Sequence, residues 1–439
     1  MKLTRLTLLF PALAAVWASD PAAERLKQFN DAKFGMFIHW GPYSLASVEA
    51  SWPIMRPAQW GISEEEYRAL PQRFNPVQFD PRAWVRLARD AGQRYMVFTS
   101  KHHDGFAMFD SQYTGYKITN TPYGKDIAKM LADAAQAEGM PLGFYYSPPD
   151  MNHPGFRDTS KLSATNWQGE PQRPEWPLYL DYMELQLTEL LTRYGDLFVV
   201  WFDGLGNQQK YDGRRFHKLI REIQPAALIN NRIGLTGDYV TPEQRLPKGI
   251  PTKGATVGNT DPNDKGLAPA APRPEDFQPW ETCMTINGTW AYNKRDLRYK
   301  STTDLVRALI EVASKGGNFL LNVGPTPEGT IQPEFQERLR GIGAWLKVYG
   351  ESIYGTTFGP LQELGWGRTT AKGRTVYLHI FNPPGGALEL KGWSGRVARV
   401  RALKGGEALP FTQSGSTLTI QAARIPADAH AAVIAIDGK

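Results

Sequence analysis

The sequence predicts an α/β fold, a (β/α)8-like barrel of the TIM type followed by a small C-terminal all-β sandwich domain. Two observations favour this class. Eight short and almost uninterrupted apolar runs alternate with helical segments, which is typical of a parallel sheet buried on both faces. After about residue 357, short strands follow one another without helices, which is typical of an antiparallel sandwich. A doubly wound open sheet is the alternative for the first region.

The first residues predict export. A basic start precedes an apolar run over 6–17, and the small residues Ala18 and Ser19 follow. This is the pattern of a secretory signal peptide with cleavage near Ala18. We therefore assign residues 1–19 to a signal peptide and expect an exported protein, periplasmic or secreted. The apolar run is too short to span a bilayer, and we expect no membrane span elsewhere.

Residues 20–356 form the predicted barrel domain, and its eight apolar runs are the expected strands. They are Phe34–Gly41, Tyr95–His103, Leu142–Ser147, Leu197–Gly204, Ala227–Asn231, Asp238–Glu243, Trp280–Asn287 and Asn318–Pro325.

Two of the intervening helices have clear start and stop signals. Ser301 is a predicted N-cap, and apolar residues recur every three to four positions from Leu305 to Ala313. Pro333 is placed to open the next helix and Gly350 to close it.

The segment 247–279 interrupts this alternation. It contains seven prolines and no apolar periodicity. Long loops of this kind in compact domains are usually functional. We expect it to lie over the barrel mouth, between the sixth and seventh runs.

Residues 357–439 are predicted to form the C-terminal β-sandwich. The expected strands are Arg374–Phe381, Arg396–Ala402, Ser416–Ile420 and Ala431–Ile436, separated by Gly/Pro turns.

Composition excludes several classes of function. The net charge of +6 is spread along the chain without a Lys/Arg run, so we expect no nucleic-acid partner. Cys283 is the single cysteine, which excludes an internal disulfide and multi-cysteine metal sites. The 13 Trp and 18 Tyr suit a pocket that stacks on sugars or bases.

Reactive side chains crowd one end of almost every run, where a parallel barrel builds its active site. Asp203 stands out because it follows the apolar stretch LFVVWF and precedes a glycine. A rigid strand would deliver this carboxylate into a confined space as a nucleophile or metal ligand. A structural cap is the alternative.

Glycoside hydrolysis would need a second carboxylate near the first. Glu243, stiffened by Pro242, and Glu281, on the seventh run, are both placed to provide it. A solvated surface glutamate is the alternative for each.

Histidines and tryptophans complete the candidate pocket. Neutral His39, His102 and His103 are suited to hydrogen bonds with sugar hydroxyls, although any one of them could be a core residue. The candidate stacking surfaces are Trp40, Trp52 and Trp201. No ligand spacing typical of a metal site accompanies the histidines, so we expect no metal.

The ordered blocks FGMFIHWGPYS, TSKHHDGFAMFDS, LGFYYS, VVWFDG, INNR, GDYVTPE, WETCMTIN and SKGGNFLLNVGPTPEGTI resemble those of the α-L-fucosidases of glycoside hydrolase family 29. The resemblance runs from about Phe34 to Tyr354 and reaches the C-terminal domain only in position and β character. It implies a barrel with a C-terminal sandwich, no cofactor, and hydrolysis of terminal α-L-fucose with retention.

The resemblance also implies roles for single residues. Asp203 matches the nucleophile and Glu243 the acid/base, with Glu281 in reserve for that role and as a pocket residue. The resemblance places His39, His102, His103, Tyr146, Trp201 and Arg232 in the fucose pocket. The stacking candidates Trp40 and Trp52 are expected to line the same pocket. One departure is Ser51 before Trp52, where some members have a glutamate; here Glu49 is the nearby carboxylate.

Three other hypotheses stay open at this point. The chain could be a glycosidase for a related L-sugar, such as an α-L-galactosidase, or a catalytically inactive fucose-binding relative. A metal-dependent hydrolase built on His102, His103 and Asp203 is the third, and inhibition by a chelator would support it.

Overall fold

The computed structural model describes residues 20–204, 208–256, 264–362, 364–383 and 385–439. The predicted signal peptide therefore lies outside the described residues. None of the helices in these ranges has the length and apolar character that crossing a membrane requires.

The described strands and helices follow in chain order. The strands are β1 Phe34–Ile38, β2 Tyr95–Lys101, β3 Leu142–Tyr146, β4 Val199–Phe202, β5 Leu228–Ile229, β6 Ile250–Thr256, β7 Lys265–Ala268, β8 Glu281–Thr285, β9 Asn318–Val323, β10 Thr357–Phe358, β11 Gly367–Lys372, β12 Thr375–Ile380, β13 Ala387–Lys391, β14 Val397–Ala402, β15 Phe411–Ser414, β16 Thr417–Gln421 and β17 Ala432–Gly438. The α-helices are α1 Pro21–Ala32, α2 Trp52–Met55, α3 Pro57–Trp60, α4 Glu64–Ala69, α5 Pro81–Asp90, α6 Ile127–Ala137, α7 Ser163–Asn166, α8 Trp176–Arg193, α9 Gly213–Ile223, α10 Thr302–Ser314 and α11 Pro333–Tyr349.

Seven strands form one curled parallel sheet in the order β5-β4-β3-β2-β1-β9-β8. Alternate side chains point into the barrel, as the two-residue period of a strand requires. Phe37, Val97 and Tyr145 belong to the inner cluster, whereas Ile38 and Tyr146 pack with the outer one. The predicted fold class is confirmed.

The sixth predicted run, Asp238–Glu243, does not form a strand. It instead spans the gap between β5 and β8 through single parallel bridges, including Val240 to Trp280 and Glu243 to Cys283. The ladder is interrupted because Pro242 has no N–H to donate.

Helices cover the outer face of the sheet as predicted. The Ser301 side chain and Asp304 form a reciprocal capping box at the start of α10. The apolar face from Leu305 to Ala313 is buried. Pro333 opens α11, as predicted.

The prediction that the segment 247–279 covers the barrel mouth is wrong for its described residues. It forms an antiparallel hairpin of β6 and β7 on the outside of the barrel. Lys315, which precedes β9, donates to the Pro247 carbonyl. The Phe277 ring lies 5.6 Å from Phe358 of the C-terminal region. These contacts lie toward the amino ends of the strands, because the chain must return there to begin β8.

The C-terminal region consists of two antiparallel sheets, in the orders β10-β11-β12-β17-β14 and β13-β16-β15. All four predicted strands are present as β12, β14, β16 and β17, and the described residues add β10, β11, β13 and β15. Leu378, Leu388, Leu418 and Ile434 form part of the apolar cluster between the sheets.

Candidate active site

A cavity of about 180 Å³ opens at the carboxyl ends of the barrel strands. Most of the site residues predicted from the sequence line it, together with four that were not predicted. The lining residues are Phe37, His39, Trp52, His102, His103, Tyr145, Trp201, Asp203, Arg232, Glu243, Cys283 and Trp290.

Asp203 lies one residue beyond the end of β4 and is held by two donors. Its Oδ2 accepts a hydrogen bond from the Tyr145 hydroxyl at 2.9 Å, and its Oδ1 accepts one from Arg232 Nη1 at 3.0 Å. His103 Nε2 lies 3.6 Å from Oδ2. The carboxylate is therefore fixed in orientation, while 13% of the side chain stays exposed to the cavity.

Arg232 joins the two candidate catalytic carboxylates. The same nitrogen, Nη1, donates to Asp203 at 3.0 Å and to Glu243 at 2.9 Å. The two accepting oxygens are therefore no more than about 5.9 Å apart, a distance that is compatible with the ≈ 5–5.5 Å between carboxyl groups in retaining glycosidases. Thr241 accepts two further bonds from the guanidinium, which lies 4.6 Å above the Trp201 ring. Burial lowers the pKa of this arginine, but the charges of Glu243 and Asp203 outweigh that effect and raise the pKa above its usual value.

Glu243 is the more exposed of the two carboxylates, with 22% of its side chain accessible. Burial, and then the negative charge of Asp203, raise its pKa, and these effects outweigh the opposing influence of Arg232. The Trp290 side chain also opposes this rise in pKa. A carboxyl that keeps its proton to a higher pH than an ordinary glutamate suits a general acid.

The three predicted pocket histidines all reach the cavity. Because β2 ends at Lys101, neighbouring residues need not alternate beyond it, and both His102 and His103 turn inward. Each ring Nδ1 shares a hydrogen bond: His39 with Asn322 at 2.7 Å, His103 with Ser147 at 2.7 Å, and His102 with Ser51.

Burial keeps these histidines neutral. It lowers the pKa of His39 and of His103 to about 3, and the pKa of His102 falls well below its usual value for the same reason. Neutral rings can donate to or accept from sugar hydroxyls. Across the described ranges, no group of three or more His, Cys, Asp or Glu is arranged to hold a metal ion.

Aromatic rings form the remaining walls. Trp201 and Tyr145 stack with their centroids 5.6 Å apart and their planes at 18°. Trp290 lies 4.9 Å from His39, and its carbonyl accepts a 2.6 Å hydrogen bond from Asn322. Such walls suit the apolar faces of a pyranose ring.

Glu281 does not line the cavity. It is the first residue of β8, so it lies near the amino end of the barrel, below the site. The carboxylate accepts hydrogen bonds from the Tyr95 hydroxyl and from Trp201 Nε1, the latter at 2.9 Å. Burial raises its pKa to about 7. This position is suited to orienting Trp201 and not to protonating a leaving group at the mouth, which corrects the reserve assignment.

Two further predicted pocket residues lie elsewhere. Trp40 packs among Phe74, Phe79 and Trp84 outside the barrel, because it follows the inward-facing His39 by one position. Tyr146 likewise points outward and donates to Gln186 at 2.9 Å.

Tyr145 and Trp290 are the main pocket residues that the sequence analysis missed. Tyr145 directly precedes Tyr146, which was predicted instead. Because side chains alternate along a strand, knowing which residues of β3 face inward would have identified Tyr145. Trp290 lies in the loop after β8, five residues past the strand. A search for reactive residues at the strand ends could therefore not identify it. Its backbone N–H donates to both carboxylate oxygens of Glu49, at 2.8 and 3.1 Å. Burial raises the pKa of Glu49 to about 8.

A barrel with two close carboxylates in a small aromatic cavity has the catalytic arrangement of a glycoside hydrolase. A family model described as Alpha-L-fucosidase matches residues 12–351. Plasma α-L-fucosidase of Homo sapiens is 30% identical over 365 residues, covering 77% of this chain and 71% of that protein. The chain belongs to the α-L-fucosidase family.

Solved structures of α-L-fucosidases are also similar to this chain. The α-L-fucosidase isoenzyme 1 from Paenibacillus thiaminolyticus is 36% identical, with a TM-score of 0.84 over 95% of this chain and 100% of that one. A GH29 α-L-fucosidase from Bacteroides thetaiotaomicron, described as a trapped covalent intermediate in complex with 2-fluoro-fucosyl fluoride, is 26% identical. It has a TM-score of 0.79 and covers 95% of this chain and 96% of that one.

Proposed function

We propose that the protein is an exo-acting, retaining α-L-fucosidase that removes terminal α-L-fucose from fucosylated glycans or glycoconjugates. The observation that carries the proposal is the shared contact of Asp203 and Glu243 with one nitrogen of Arg232, at 3.0 and 2.9 Å. Retaining enzymes hold their carboxyl groups ≈ 5–5.5 Å apart so that one can attack the sugar directly. An inverting enzyme needs room for a water molecule between them.

In the first step a carboxylate oxygen of Asp203 attacks the anomeric carbon, and the bond from that carbon to the leaving oxygen breaks. Glu243 gives its proton to the leaving oxygen. The products are a covalent fucosyl-enzyme and the free aglycone, which now carries the former Glu243 proton.

In the second step Glu243, now a carboxylate, takes a proton from water, and the water oxygen attacks the anomeric carbon. The ester bond to Asp203 breaks and fucose leaves with its original configuration. Arg232 and the Tyr145 hydroxyl hold Asp203 in line for both steps.

Neutral histidines account for recognition of the sugar. His39, His102 and His103 present ring nitrogens around a cavity the size of one monosaccharide, and Trp52, Trp201 and Trp290 provide apolar walls. A cavity of this small volume favours a single terminal sugar over an internal one. We also propose that residues 1–19 direct export, which mass measurement of the mature N-terminus would test.

The direct test is the anomer that forms first. Wild-type protein is mixed with an aryl α-L-fucoside, and proton NMR follows the product before mutarotation. We expect α-L-fucose as the first product and hardly any turnover of the corresponding α-L-galactoside. Release of β-L-fucose first would refute retention, and equal turnover of both sugars would refute the assigned specificity.

A further inference from the structure

Gln244, the residue after Glu243, has an unusual backbone conformation. Its backbone φ is +54°, in the left-handed region that residues other than glycine rarely adopt. Such a strained conformation persists only where the surroundings enforce it. Gln244 directly follows Glu243, which donates and accepts the proton in the proposed mechanism.

The Gln244 side chain is bound to the last residue of β8. Its Nε2 donates to Thr285 Oγ1 at 3.1 Å, and its Oε1 accepts from the Thr285 backbone N–H at 3.2 Å. The Thr285 hydroxyl gives its own proton to the Asn287 carbonyl at 2.6 Å. The amide of Gln244 is thus satisfied on both of its ends by one buried threonine.

The backbone around Glu243 is fixed to the same strand from both sides. The Gln244 N–H donates to the Cys283 carbonyl at 2.9 Å, and the Cys283 N–H donates to the Pro242 carbonyl at 3.3 Å. Pro242 in addition has a restricted φ. Glu243 is therefore the central residue of a short segment whose two neighbours are both bound to β8, and its own side chain is left to point into the cavity.

Asp203 does not depend on these contacts. Its backbone N–H donates to the Tyr146 carbonyl, and its carboxylate is held by Tyr145 and Arg232. A change at Gln244 can thus move Glu243 while leaving the bonds from Tyr145 and the β3–β4 backbone to Asp203 in place.

We propose that Gln244 is a positioning residue whose bonds to Thr285 hold Glu243 at the leaving oxygen, so that it governs protonation of the leaving group and not nucleophilic attack. The inference rests on the proposed function. A displacement of a reacting group by about 1 Å can cost on the order of 100-fold in rate.

The test compares two substrates that differ in how much their leaving groups need a proton from Glu243. An α-L-fucosyl disaccharide has a poor leaving group that needs the proton, whereas α-L-fucosyl fluoride has a good one that needs little assistance. For Gln244→Ala we expect kcat/KM on the disaccharide to fall by about 100-fold, and kcat/KM on the fluoride to stay within about threefold of wild type.

Two further variants separate the side-chain bonds from the backbone conformation. Gln244→Asn tolerates the left-handed region but is one methylene too short to make both bonds to Thr285, so it should behave like Gln244→Ala. Gln244→Gly removes the strain together with the bonds and should also lose activity on the disaccharide. Wild-type behaviour of Gln244→Gly would overturn the inference.

The control is Gln93→Ala, a glutamine that also bonds to a strand of the barrel but lies far from the cavity. Unlike the exposed Gln244, Gln93 is buried, and it donates to the Gly35 carbonyl near the amino ends of the strands, at 3.0 Å. Its loss should leave the ratio of the two kcat/KM values unchanged. Equal losses on both substrates in Gln244→Ala would refute a role in positioning the acid. Failure of wild-type protein to hydrolyse either fucoside would instead refute the proposed function itself.

Discussion

Arg232 is the residue whose removal should change the proposed chemistry in the most recognisable way. In Arg232→Met, Glu243 loses the cation at 2.9 Å and keeps the negative charge of Asp203 nearby. The pKa of Glu243 must therefore rise further. A unit charge at about 4 Å is worth about 4 kcal/mol at an effective dielectric constant of about 20, and opposite charges at this range typically shift a carboxyl pKa by about 1–3.

The pH profile of kcat/KM reports this change. Glu243 must be protonated for the first step, so activity falls as the pH rises through its pKa. We expect the alkaline limb of Arg232→Met to move to higher pH by about one to three pH units. The maximum should also fall, by about 10- to 100-fold for each charge-assisted hydrogen bond of about 1.5–3 kcal/mol that is lost.

Arg221→Met is the matched control. Arg221 donates to both oxygens of Asp238 at 2.6 Å, outside the cavity, so its loss removes the same charge and a comparable ion pair. Its profile should overlay that of wild type. An alkaline limb that stays in place in Arg232→Met, or moves to lower pH, would refute the electrostatic coupling of Arg232 to Glu243.

Three shorter predictions concern other parts of the molecule. Burial raises the pKa of Glu281 to about 7, so the folded state holds this proton more tightly than the unfolded chain does. Glu281 therefore lowers the stability of the folded state progressively as the pH rises from about 4 to 7. The thermal unfolding midpoint of Glu281→Gln, relative to that of wild type, should rise across the same pH range. In denaturant titrations, Lys101→Met leaves Asp150 buried without its partner at 3.1 Å and should lower the free energy of unfolding by about 3–5 kcal/mol. Lys27→Met, at an exposed pair, should leave the free energy of unfolding almost unchanged. Dialysis against EDTA should leave kcat/KM unchanged, since the pocket histidines already bond to protein side chains; a loss restored by a divalent cation would support the metal-dependent alternative.

The sequence was sufficient for the fold because the strands of a parallel barrel are apolar on both faces and separated by helices. It failed where the backbone departs from regular pairing. Asp238–Glu243 has the composition of a strand but contains Pro242, which interrupts the ladder, so its pairing is reduced to bridges. The position of the 247–279 segment was not predictable, because its contacts with Lys315 and Phe358 depend on residues distant in sequence.

The site was predictable in outline because the carboxyl ends of parallel strands converge. Which of two adjacent side chains faces inward depends on strand register. This explains why Tyr146 was chosen although Tyr145 faces the cavity, and why Trp40 was chosen together with His39 although only His39 reaches it. The sequence also did not show how far along its strand each carboxylate lies. Glu281 begins β8, whereas Asp203 follows β4, so two carboxylates on strands of one barrel lie at different levels.

The measurement that tests the account most directly is chemical rescue of Asp203→Gly. The variant is assayed on an aryl α-L-fucoside with a good leaving group, with and without sodium azide. We expect almost no activity alone and restored turnover with azide, with β-L-fucosyl azide as the product, because azide enters from the side that the missing carboxylate occupied. Activity of Asp203→Gly close to that of wild type, or restored turnover that gives α-L-fucosyl azide, would contradict the assignment of Asp203 as the nucleophile.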